Sequence, residues 1–136
     1  MAELVYKDPY LMIGSDDLSK YVRQVTISYA AEIKDTTAGP TTARTKIAGL
    51  TDWSVSIELN QDYDAGAVDD VLFDLVGAEE FDVKINPKGA VTGADNPQFS
   101  GKGLLADYQP LAGSIGEVIT APITIEGSGV LARARS

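Results

Sequence analysis

A chain of 136 residues with net charge −9 and neither histidine nor cysteine is the size of one ordinary domain and is poor in the side chains that do chemistry. Without those two residue types there is no imidazole base, no thiolate, no disulfide and no serine or cysteine triad, so an enzyme would have only a carboxylate pair, a lysine or an oxygen-ligated cation to work with. The acidic balance argues against gripping nucleic acid, which needs clustered Lys and Arg, and a hydrophobic share of 44% beside 23% charged residues is globular rather than disordered usage.

In chain order, residues 1–13 read as an N-terminal arm, with an early strand around Leu4 to Ile13 that turns as a hairpin at Asp8 and Pro9. Its opening "MAELVYKDPYLMIG" lacks a basic stretch followed by a long apolar core, and no run in the chain approaches the roughly 20 apolar residues that span a bilayer; a membrane protein or a secretory leader is not expected. After the turn-like "GSDDLSKY", Val25, Ile27 and Tyr29 alternate with Thr26, Ser28 and Ala30, the pattern of a half-buried strand.

Residues 32–48 follow, poor in large apolar groups and rich in Thr, Ala and Gly. So long a loop in a small domain is functional or disordered, and its threonines permit a β-hairpin arm that orders on a neighbour. The candidate inter-subunit residues are Asp35, Thr36, Thr37, Gly39, Pro40, Thr41, Thr42 and Arg44.

Trp53, Val55, Ile57 and Leu59 then alternate with Ser54, Ser56, Glu58 and Asn60, which makes Trp53 a core residue rather than a binding aromatic. The strand runs into "NQDYDAGAVDDV", the most acidic stretch of the chain. A helix-loop-helix calcium site needs glycine at its sixth position and a bidentate glutamate at its twelfth; counting from Asn60, Ala65 and Val71 stand there. The aspartates have a structural role instead. Val68, Val71, Leu72, Leu75 and Val76 form a helical apolar stripe, so a helix is predicted over about 65–76, capped at its start by Asp62 or Asp64, with Asp69 and Asp70 in its first turns and Gly77 closing it.

Phe81, Val83 and Ile85 mark a further strand that stops at "NPKG". The segment around Gly101 to Tyr108 and that from Glu117 to Gly129 read as long strands in which Gly101, Gly103 and Pro122 signal bulges, bends or an edge position. "GKGLLA" imitates a dinucleotide fingerprint, but no helix follows it. The carboxylate neighbours Asp16/Asp17, Asp69/Asp70 and Glu79/Glu80 point apart and are read as solvated surface. The tail "ARARS" is too short for a nucleic-acid arm. No catalytic residue, cofactor or metal ligand is assigned.

Taken as an ordered series, these pieces resemble the major tail (tail tube) proteins of long-tailed, non-contractile bacteriophages. The resemblance spans about residues 14 to 131 and is carried by Asp17-Leu18-Ser19, by Gly49-Leu50 with Trp53, by Asn60-Gln61-Asp62-Tyr63, by Asn96-Pro97, and by Gln109-Pro110-Leu111-Ala112-Gly113 ahead of Gly116. It implies a mainly β, sandwich or barrel-like domain with one flanking helix, built as a virion structural protein rather than an enzyme. It further implies subunits that close into hexameric rings and stack into a tube through which DNA passes, with tape-measure, terminator and distal tail proteins as further partners.

On that reading the chain is made in the host cytoplasm and resides in the phage tail. The loop at 32–48 reaches an adjacent subunit or ring, and Ser54, Ser56, Glu58, Glu117, Thr120, Thr124 and Glu126 are candidates for the channel wall. A decoration or head-tail joining protein, or a small β-sandwich enzyme or binding module, is the alternative.

Overall fold

In the computed structural model, which describes residues 9–39, 42–89, 92–93 and 96–135, the period-two segments become seven strands of one antiparallel sheet. They are β1 (Tyr10–Ile13), β2 (Asp16–Asp17), β3 (Val22–Asp35), β4 (Lys46–Asn60), β5 (Phe81–Asn86), β6 (Gln98–Tyr108) and β7 (Thr120–Ala134), with α1 (Val68–Leu72) between β4 and β5. Their order across the sheet is β2-β1-β5-β6-β7-β4-β3. The sheet curls, because Val25 and Ile27 of the outermost β3 line one groove with Ile85, Pro87 and Phe99 from the opposite half. A single curled sheet is the barrel-like form of the expected architecture.

The concave face holds the core. Trp53, Val55, Ile57 and Leu59 of β4 are buried with Ala121, Ile123 and Ile125 of β7, Val83 and Ile85 of β5, and Leu11 and Ile13 of β1. Strict alternation on β4 sends every second side chain inward, and fully burying each large aliphatic contributes about 1.5–3 kcal/mol. The Asp17-Leu18-Ser19 stretch belongs to this scheme: Leu18 is buried, its N–H donates to the Leu11 carbonyl at 3.0 Å, and the Ser19 hydroxyl accepts from the Leu11 N–H at 2.9 Å.

Several expectations are corrected. Among the described residues a hairpin of β1 and β2 turns at Gly14, whose φ of 63° suits glycine; the expected turn at Asp8 and Pro9 involves residues 1–8, which lie outside the described residues. β7 starts at Thr120 rather than Glu117, runs to Ala134 and lies between β6 and β4, so Pro122 does not mark an edge.

Gly101 does sit at a register shift between β6 and β7. The glycines at 101 and 127 also clear space for an indole: a Cβ on Gly101 would stand 2.7 Å from the Trp53 ring and one on Gly127 2.3 Å from it. The helix is shorter than 65–76. Gly66, at φ 75°, keeps the preceding turn out of it, and after Leu72 the chain tightens into a 3-10 turn, Phe73–Leu75. Val68 and Leu72 are buried as the stripe requires, whereas Val76 is extended and exposed ahead of Gly77, whose φ is 78°.

Candidate assembly surface

Residues 32–48 are not a loop throughout: 32–35 and 46–48 continue β3 and β4, and the connection between them is confined to residues 36–45. β3 and β4 stay paired through Ala31↔Thr51, Ile33↔Ala48, Lys34↔Ile47 and Asp35↔Lys46, with one irregularity between Ala31 and Ile33. Ile33 and Ile47 suit strands, and the tip is locked by local polar bonds. The Thr36 N–H donates to the Thr45 carbonyl at 2.8 Å, the two threonine hydroxyls lie 2.9 Å apart, and Thr37 Oγ1 accepts from the Thr45 N–H at 2.8 Å. Asp35 accepts from the Thr37 N–H at 2.9 Å and from the Arg44 guanidinium at 2.8 Å. The Thr37 bonds first, and Arg44 after them, hold its carboxyl below the usual carboxylate range.

The expected ordering on a neighbour is therefore unnecessary: the arm is a hairpin within one chain. Thr42 and Gly39 belong to its tip, while Pro40 and Thr41 lie outside the described residues. Both faces of the arm are solvent-exposed, and it displays Ile33, Ile47 and Leu50, the last 81% exposed. The arm also leaves the sheet. The β4–β7 ladder covers only Ser54↔Glu126 to Asn60↔Thr120, whereas β3–β4 continues to Asp35↔Lys46 and β6–β7 to Gln98↔Ala134. Beyond Ser54 and Glu126 the sheet forks.

Most of the polar channel-wall candidates gather on one face. Ser54 pairs with Glu126, Ser56 with Thr124, and Glu58 with Pro122, all on the convex side opposite Val55, Ile57, Ile123 and Ile125. Sequence reading missed that β3 extends this face, since Gln24, Thr26 and Ser28 pair with Glu58, Ser56 and Ser54. Alternation supplies the polar phase of each strand but not which strands are neighbours. Arg23 reaches Glu58 at 3.5 Å across the same surface. Thr120 sits beside Asn60 at its end and donates to the Ala112 carbonyl at 3.3 Å. Glu117 is apart from the group, in the exposed connection before β7, where its N–H bonds the Ser114 carbonyl.

The acidic stretch is structural, though not in the predicted way. No side chain caps α1, whose first residue follows an extended Ala67. Asp62 instead accepts from the Asp64 N–H at 3.0 Å and from the Tyr21 hydroxyl at 3.2 Å, and its carbonyl receives the Asp69 N–H. Asp70 reaches back to the Gly66 N–H at 2.8 Å. The Tyr108 hydroxyl donates to Asp69 at 2.7 Å and accepts from Gln61 at 3.0 Å. Desolvation first, with Asp69 adding to it against the opposing Gln61 bond, pushes that phenol up to about 12. Among the described residues no cluster of three carboxylates is placed to hold a metal ion.

No family model matches the chain, and no curated protein sequence does. Solved structures match it over nearly its full length. A chain from the virion of a native gene transfer agent particle superposes with a TM-score of 0.73 at 18% identity, covering 97% of this chain and 99% of that one. The fold is the tail-tube fold. A chain from the tail of an empty gene transfer agent particle, refined with C6 symmetry, shares the tail-tube fold at TM-score 0.59 and 20% identity, over 84% of this chain and 82% of its own. So does one from an extracellular contractile injection system, the sheath/tube terminator in its extended state, at TM-score 0.75 and 10% identity over 97% and 96%. The tail-tube fold is thus common to particles with and without a contractile sheath in their description, a wider range than the non-contractile tails of the sequence resemblance.

Proposed function

We propose that this protein is a non-enzymatic structural subunit of a tail tube, closing into rings, hexameric by the symmetry of the gene transfer agent tail it resembles, that stack around a channel. The observation that carries this reading is the coincidence of full-length tail-tube fold with a pre-formed hairpin arm that extends beyond the sheet and exposes Ile33, Ile47 and Leu50. Apolar side chains displayed together on a projecting arm suit a protein–protein contact. In the ring, exposed strand edges pair between neighbours, which removes the aggregation hazard of open edges. The convex face bearing Ser54, Ser56, Glu58, Thr124 and Glu126 lines the channel, where acidic and hydroxyl groups let DNA pass without phosphate contacts that would stall it. In a phage, the subunit resides in the tail and meets tape-measure, terminator and distal tail proteins.

Electron microscopy of the purified protein over a range of concentration and salt tests the reading. Rings or tubes with a central channel are the expected result, and a protein that stays monomeric throughout overturns it. The likeness to a sheath/tube terminator structure supports a second reading, a joining or terminating protein; that version forms single rings that never stack.

A further inference from the structure

The registers orient every strand and so define two ends of the molecule. At one end β4 finishes at Asn60, β6 at Tyr108, and β5 and β7 begin; at the other lie the arm, the start of β6 and the finish of β7. Charge is segregated between these ends. The first carries α1 and its flanks, with Asp62, Asp64, Asp69, Asp70, Asp74, Glu79 and Glu80, against Lys20 and an Arg23 that pairs with Glu58. The second carries Lys46, Lys88, Arg133 and Arg135 without an ion-pair partner among the described residues, beside Lys34 and Arg44. Its acids are partly neutralised within the chain, Asp35 by Arg44 at 2.8 Å and Glu32 by Lys34, with Asp52 further down the arm.

Exposed apolar side chains accompany both sets of charge. Leu111, Ile115 and Val118 stand out from the connection before β7 at the acidic end, Ile115 wholly exposed, and Ile33, Ile47 and Leu50 from the arm at the basic end. Apolar centres with charged rims of opposite sign are the anatomy of a specific interface. Because the two surfaces differ and lie at opposite ends, the contact they form is heterologous and non-closing, which generates an open stack.

From this we infer that the occupant of the acidic α1 end is the basic arm end of a second copy of the same chain, and that this charge polarity fixes the direction of stacking and makes its extent sensitive to salt. The inference rests on the tube-subunit reading and adds to it the partner surface for each end.

Charge reversal tests it on the full chain. One variant reverses the acidic end with Asp64→Lys, Asp74→Lys, Glu79→Lys and Glu80→Lys; the other reverses the basic end with Lys46→Glu, Lys88→Glu and Arg133→Glu. These side chains are exposed, and thermal melts of the dissociated subunits check that both variants fold. Each variant alone presents like charge at both ends and gives rings without stacks. An equimolar mixture gives alternating stacks at least about tenfold longer than either alone.

Wild-type stacks shorten severalfold between about 0.05 M and about 0.5 M sodium chloride, as the screening length drops through roughly 10 Å. Should either reversal spoil folding, the amide versions of the acidic set, the glutamine versions of the basic set, and the wild-type salt series give the same reading. Variants that stack like wild type, a mixture as unstacked as its components, or stacks indifferent to salt overturn the inference while leaving the ring intact. A wild-type protein without rings at any salt overturns the tube-subunit reading and the inference with it.

Discussion

The Cα of Gly127 lies so close to the Trp53 indole that a methyl group there would sit 2.3 Å from the ring, and one on Gly101 would stand 2.7 Å from it. Two glycines on β6 and β7 thus accommodate the largest side chain of the core. Gly127→Ala forces the indole to shift against Gly101 and should destabilise the subunit by about 1–3 kcal/mol, the usual cost of overpacking. Thermal or denaturant unfolding measures it. Combined with Trp53→Leu, the same alanine should cost much less, since the ring it strikes is gone; equal costs in both backgrounds would refute the packing account.

Leu72 is fully buried at the C-terminal end of α1. Leu72→Asp places a carboxylate where nothing solvates or pairs with it, at an expected cost above about 4 kcal/mol. The variant should lose its cooperative melt and its tertiary circular dichroism. A well-folded Leu72→Asp protein would show that the helix lifts off the sheet.

Among the described residues, replacing 34–47 by an Asn-Gly turn removes only exposed side chains and the outer pairs of the β3–β4 ladder. The remaining strands keep the core, and the shortened hairpin receives a favoured two-residue turn. Monomer stability should change by less than about 1 kcal/mol, while stacking is lost in electron micrographs and in sedimentation. Loss of the monomer's melting transition would place the arm in the core instead.

The Tyr108 phenol, raised from an ordinary 10.0 to about 12, gives a pH signature. The unfolded chain releases this proton near 10.0 and the folded chain only near 12, so between these values the folded state binds more protons and stability falls as pH rises. The contribution is complete below pH 10 and disappears as pH passes 12. Tyr108→Phe should flatten stability over that window. Asp69→Asn should lower the phenol's titration midpoint in ultraviolet absorbance, because it removes a carboxylate that disfavours the phenolate.

Much of this was legible in the residues. Alternation at Trp53, Val55, Ile57 and Leu59 identified a core face that is buried throughout, because a strand with one wet side has little freedom in its sequence. The stripe of Val68 and Leu72 identified the helix, but its ends escaped: Gly66 and the 3-10 turn after Leu72 are local backbone choices that a stripe does not encode. The arm was misread as a loop because both of its faces are exposed, so its threonines and alanines carry no apolar phase. Asp62 was expected to cap α1 and instead holds Tyr21 from a residue 41 positions away, a long-range pairing that spacing along the chain does not reveal. The polar face came through strand by strand, while the addition of β3 to it depended on strand order.

The fork beyond Ser54 and Glu126 has a mechanical consequence. The arm's two strands are the same unbroken strands that run down into the core as β3 and β4, and their ladder bonds lie across the strand direction. A pull on the tip along the arm draws both strands the same way, so it passes to the rest of the sheet through the β4–β7 ladder below the fork, Ser54↔Glu126 to Asn60↔Thr120, and loads those bonds in shear together. The protein holds a stiff lever anchored in its own core, able to carry tension between the point where the arm grips and the sheet that surrounds the hydrophobic centre.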